Sequence, residues 1–146
     1  GTEGENLRSS YGELLLTART MGLQVVERTI NSDHLGCYEH RERRITIDGR
    51  LNDDQKRVAL QHEIIHAEHF RMGMNRWMDP RVEETKTRRE TALRLIDLND
   101  YARAERIYGA SPYRIANELH VTFNVVMTMQ EILENESWRC RIVTNH

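Results

Sequence analysis

Residues 62 to 66 read His-Glu-Ile-Ile-His, and this HExxH run constrains the chain more than any other stretch. On a helix, positions four apart differ by about 40° in direction, so His62 and His66 project from one face and can share one Zn²⁺. Glu63 lies about 100° round from His62, beside the metal rather than on it, where its carboxylate can take a proton from a water on the metal. Zinc lowers the pKa of such a water to about 7, so a carboxylate suffices as base. The pattern therefore points to zinc-dependent peptide hydrolysis, with Glu63 catalytic and His62 and His66 as ligands.

The flanking residues predict a helix of about 20 residues around the run. Asn52 is a good N-cap, Asp53 and Asp54 fill the first turn, and Gln55 stands at the capping-box position. Arg71 in the last turn and Gly73 just beyond it mark the end. Val58, Ala59 and Ile65 share a face with the two histidines, which puts the imidazoles on the buried side. Two hydrogen-bonded core histidines are the plain alternative.

At 146 residues the chain is expected to form one domain with a real core. Its net charge of −2 gives no general pull towards nucleic acid or anionic membranes. No run approaches the length and apolarity of a membrane span, and no signal peptide is recognisable, so a cytoplasmic location is expected. Cys37 and Cys140 are far apart, without the spacing of a disulfide framework or a cysteine zinc site.

Residues 1 to 10 are polar and glycine-containing, expected to be a disordered or vector-derived start. Tyr11, Leu14, Leu15, Ala18 and Met21 recur at helical spacing, and Gly22 ends that helix. Val25, Val26, Thr29 and Ile30 have strand composition. Residues 36 to 40 and 44 to 48 read as two further strands around the charged turn 41 to 43, with Ile45 and Ile47 on one face. The expected fold is α+β: a small, mostly antiparallel three-stranded sheet packed on the HExxH helix, followed by a helical C-terminal part. A zinc-peptidase-like core is expected over 11 to 98, a helical subdomain over 99 to 136 and a tail over 137 to 146.

A catalytic zinc needs a third protein ligand. After a connector holding Trp77, Asp79 and Pro80 start a helix predicted to reach Ile96, and its carboxylates nearest the start are Glu83, Glu84 and Glu90. If Ala92, Leu95, Ile96 and Leu98 define its buried face, Glu84 lies about 70° from the centre, whereas Glu83 and Glu90 point almost directly away. Glu84 is the candidate ligand, with an ion pair to Arg88 one turn on as the alternative. His69 also lies near the histidine face but about 10 Å along the axis from His62, beyond the reach of one metal. A metzincin would need histidine where Met72 stands.

Several stretches together resemble the ImmA/IrrE family of metallo-endopeptidases. They are Arg44-Ile45-Thr46-Ile47-Asp48, the run from Gln55 through His62-Glu63, and the run from Glu84 through Thr91-Ala92-Leu93-Arg94-Leu95-Ile96. The likeness covers roughly residues 11 to 135, with HExxH its specific part. It implies a cytosolic zinc peptidase, often carried by prophages and mobile elements, that cleaves a cognate DNA-binding repressor and switches on the genes held silent. Many members carry a Glu-Ala pair near the third ligand; here Thr85 follows Glu84 and Thr91 follows Glu90.

Three helices are expected in the last third, from Tyr101 to Tyr108, Pro112 to Leu119 and Phe123 to Glu134. The phrase from Ile115 to Thr122 resembles a helix-turn-helix, which raises the alternative of a DNA-binding protein. Lys and Arg supply most DNA affinity, yet there is none between Phe123 and Glu134, where Asn124 and Gln130 are the only base-reading types. This argues against a nucleic-acid partner and for packing or protein docking. A non-catalytic zinc-binding regulatory module is the other alternative. For the oxyanion of a peptidase, Tyr101, Tyr108 and His69 have suitable chemistry.

Overall fold

A computed structural model describes the backbone of residues 8 to 144 and the side chains of residues 8 to 136. Residues 1 to 7 of the expected disordered start, and the side chain of Cys140, lie outside the described residues. Helix α1 (Tyr11–Thr20) begins at Ser10, whose hydroxyl and the Glu13 carboxylate form a reciprocal capping box, and it ends before Gly22 at φ 76°. Strand β1 (Gln24–Arg28) follows, then β2 (Gly36–Glu39) and β3 (Arg44–Asp48).

The sheet is mixed, which corrects the mostly antiparallel expectation. Its order is β1-β3-β2, with β1 parallel to β3 and β2 antiparallel to it. Burial explains the order: Ile45 and Ile47 are fully buried, whereas Val25 and Val26 are only partly so. The most apolar strand takes the centre, and residues 29 to 35 cross over its end to reach the far edge. The β2–β3 turn closes with Arg43 at φ 52°.

Helix α2 (Asp53–Arg71) starts with Asn52 and Gln55 capping one another's backbone N–H groups, as the sequence predicts. It is the axis of the molecule. Leu60, Ile64 and Ala67 face the sheet and α1, forming one apolar cluster with Leu14, Ile45 and Ile47. Val58 instead joins a second cluster made by the later helices. A short 3-10 turn (Met74–Arg76) leads to α3 (Pro80–Leu95), where Asp79 caps and Pro80 opens the helix.

Helix α4 (Leu98–Tyr108) starts three residues before the expected Tyr101, because the Asp97 carboxylate accepts from Asn99 and Asp100. Helix α5 (Pro112–Leu119) ends on His120, left-handed at φ 58°. Helix α6 (Phe123–Thr144) runs ten residues past the expected Glu134, since no glycine or proline intervenes. Among the described residues no helix is long and apolar enough to cross a membrane.

Candidate metal centre

Where α2 faces α3, Nε2 of His62 and Nε2 of His66 lie 3.1 Å apart. Oε1 of Glu84 is 3.3 Å from the first and 3.0 Å from the second. His62, His66 and Glu84 thus form a group that could hold a metal ion. Zinc with ligand bonds near 2.0 to 2.1 Å places tetrahedral neighbours about 3.3 Å apart, so the three donors already stand at the edges of such a site. Both nitrogens and the carboxylate oxygen are typical zinc donors.

The carboxylates around the histidines favour positive charge there. Burial works to lower the His66 value, but hydrogen bonding to Glu84 and Glu83 and the charge of Glu63 outweigh it and raise it to about 9. Burial likewise opposes ionisation of Glu84, yet His62 and His66 hold its carboxyl well below the usual range. Oε2 of Glu84 accepts from Nε of Arg88 at 2.9 Å. Glu84 therefore both meets the histidines and pairs with Arg88.

Glu63 projects beside the group, with only 6% of its surface exposed, and its carboxylate makes no hydrogen bond to any described residue. Burial raises its pKa, opposed by the His62 and His66 charges. Leaving a carboxylate buried without a partner is costly, which sets Glu63 apart from an ordinary packed core residue. Strand β2 approaches it closely: a Cβ on Gly36 would sit 3.4 Å from Glu63 Cγ and 2.9 Å from the Thr46 carbonyl oxygen.

A cleft of about 420 Å³ opens over the group. His34, Leu35 and Gly36 border it on one side, Glu84, Arg88 and Thr91 on another, and Asn124, Met127 and Thr128 of α6 on a third. Tyr101, Tyr108 and His69 do not line it. Tyr101 is buried in the C-terminal core, Tyr108 donates to Glu118, and His69 is enclosed between α2 and α3. Donors that do border the cleft include His34, Arg88, Thr122, Asn124 and Thr128.

The expectation that Glu83 and Glu90 point away from the contact is wrong. Oε2 of Glu83 lies 2.7 Å from Nδ1 of His66 and 2.7 Å from Nδ1 of His69, and Oε2 of Glu90 lies 3.1 Å from Nε2 of His69. The apolar count placed the buried face too far round because two of the residues α3 buries, Thr87 and Thr91, are polar and do not enter such a count. Thr87 and Thr91, both buried, carry the true face towards the glutamates. A signal was present: His62, His66 and His69 repeat at i, i+4, i+7, and so do Glu83, Thr87 and Glu90. Among known proteins, no family model and no curated sequence matches the chain.

Proposed function

We propose that this chain is a zinc-dependent endopeptidase of the gluzincin type, acting in the cytoplasm on a helix-turn-helix repressor protein. One observation carries the hydrolase reading: a buried Glu63 carboxylate, unpartnered among the described residues, beside a three-donor group that opens onto a cleft. His62, His66 and Glu84 would hold the metal. Zinc, when bound, lowers the pKa of the attacking water and polarises the scissile carbonyl. Glu63 accepts the water proton and later delivers it to the leaving amine nitrogen. His34 and Arg88 border the cleft as donors suited to the developing oxyanion.

The repressor substrate, and the release of prophage or mobile-element genes that its cleavage would bring, rest on the ImmA/IrrE resemblance of the quoted motifs. A purely structural zinc site is closed by four protein ligands, whereas the described residues bring three together. Against the DNA-binding reading, Gln130 donates to the Ala110 carbonyl and no Lys or Arg stands between Phe123 and Glu134.

The test is Glu63→Gln in the full chain, co-expressed with the product of the adjacent gene. The amide is expected to leave the fold and the bound zinc intact while slowing metal-dependent truncation of that protein by about 10²- to 10⁴-fold. Full relief of repression by the variant without truncation would instead assign action by binding. Tight, salt-sensitive binding of DNA by the chain would restore the helix-turn-helix alternative.

A further inference from the structure

Beneath the metal group, on the side away from the cleft, α2 and α3 bury a second set of polar side chains that the hydrolytic chemistry does not use. His69 is 1% exposed, with each ring nitrogen against a different carboxylate: Nδ1 meets Glu83 and Nε2 meets Glu90. Oε2 of Glu83 is the hub. Besides His69 it accepts from Oγ1 of Thr87 at 2.9 Å and faces Nδ1 of His66 at 2.7 Å. Glu90 is anchored in turn by Lys86 at 3.4 Å and Arg94 at 3.7 Å. A continuous path therefore runs from surface cations through Glu90, His69 and Glu83 to the far side of the His66 ring.

Carboxylate oxygens only accept, so Nδ1 of His66 must donate to Glu83, which leaves Nε2 as the nitrogen that faces His62 and Glu84, where a metal would take the place of its proton. A ligating imidazole commonly needs such a partner to fix its tautomer and ring orientation. Glu83 can do this only if it is itself held. On α3 alone it has Thr87 one turn away; from α2 it has His69.

We infer that His69 is a positioning residue for the metal centre, holding Glu83 so that Glu83 orients His66 for the metal. His69 is not a ligand, since its two nitrogens are engaged elsewhere and the converging donor set is His62, His66 and Glu84. This rests on the reading of that set as a metal site, not on the peptidase reading.

The experiment titrates Co²⁺ into the metal-free full chain, reading the affinity by chelator competition and the ligand field by the visible absorption spectrum. Variants are Glu83→Gln, His69→Leu, His69→Gln and the pairs with Glu83→Gln. Loss of an outer-shell partner typically weakens metal binding about 10- to 100-fold, which is the effect expected for Glu83→Gln and His69→Leu, with an altered cobalt spectrum. His69→Gln keeps a donor for Glu83 and is expected to recover most of the affinity. Because His69 acts through Glu83, adding either His69 change to Glu83→Gln should weaken binding no further. Should His69→Leu fail to fold, His69→Gln carries the same cycle, its few-fold loss vanishing in the Glu83→Gln background.

Wild-type binding of Co²⁺ with unchanged affinity and spectrum in both His69 variants overturns this inference alone. Additive losses in the double variants overturn it as well. A wild-type chain that takes up neither Co²⁺ nor Zn²⁺ overturns the metal reading and this inference with it.

Discussion

Nε2 of His66 and Oε1 of Glu84 meet at 3.0 Å across the α2–α3 contact, although 18 residues separate them in the chain. The contact is polar on both sides, which a folded chain tolerates when the groups satisfy one another or share a cation. That choice leads to the first prediction.

The purified chain is expected to bind about one Zn²⁺, and replacing His62, His66 or Glu84 with Ala should abolish tight binding. Glu83→Ala should weaken it less, through the orientation of His66, and Glu90→Ala least. Metal analysis and chelator competition read this order; equal losses at the three glutamates would sink it. Zinc at a thousandfold excess over its dissociation constant should stabilise the fold by about 4 kcal/mol.

Gly36→Ala should destabilise the chain by about 1 to 3 kcal/mol. The added Cβ would meet the Thr46 carbonyl oxygen at 2.9 Å and Ile47 Cδ1 at 3.2 Å, and the carbonyl belongs to the central strand and cannot move aside. Denaturant unfolding measures the loss. An unchanged midpoint would mean that β2 does not press so closely on β3.

Arg57 joins the two halves of the molecule by donating to three carbonyls, those of Ser9, Leu119 and His120. Arg57→Met keeps the apolar stem but leaves these oxygens without the cation. A cost of about 1 to 3 kcal/mol is expected from charged hydrogen bonds of this kind, read in the same unfolding assay. A neutral result would show that water replaces the guanidinium without loss.

Asp48 gives a pH dependence whose sign follows from its partner. Arg50 binds both carboxylate oxygens, at 3.0 and 2.8 Å, and holds the pKa down from 3.8 to about 2. A group whose folded value is lowered stabilises the fold above its unfolded pKa and loses that contribution as pH falls through the folded one. The stability gap between wild type and Asp48→Asn should therefore be full above about pH 4 and close towards pH 2. Unfolding curves across that range test it, and a gap independent of pH would contradict it.

The sequence by itself determined the local features. Asn52 with Gln55, and Asp79 with Pro80, start α2 and α3 where the capping pattern says, because caps depend on residues three or four apart. The four-residue spacing of His62 and His66 alone puts two imidazoles on one face, and Glu84 stands with them in a group that could hold a metal, although Glu83 meets His66 as well. Strand positions were legible too, from the alternation at Ile45 and Ile47. Only the tertiary structure decided which strand lies at the centre, that β1 runs parallel to β3, and that Glu83, Glu90 and His69 belong together. Pairing across distant segments is settled by competition for burial, which no local period encodes. The polar stripe between α2 and α3 escaped because apolar counts measure what a face removes from water. His69 is buried against a half-buried Glu83, and that is visible only when both helices are in place.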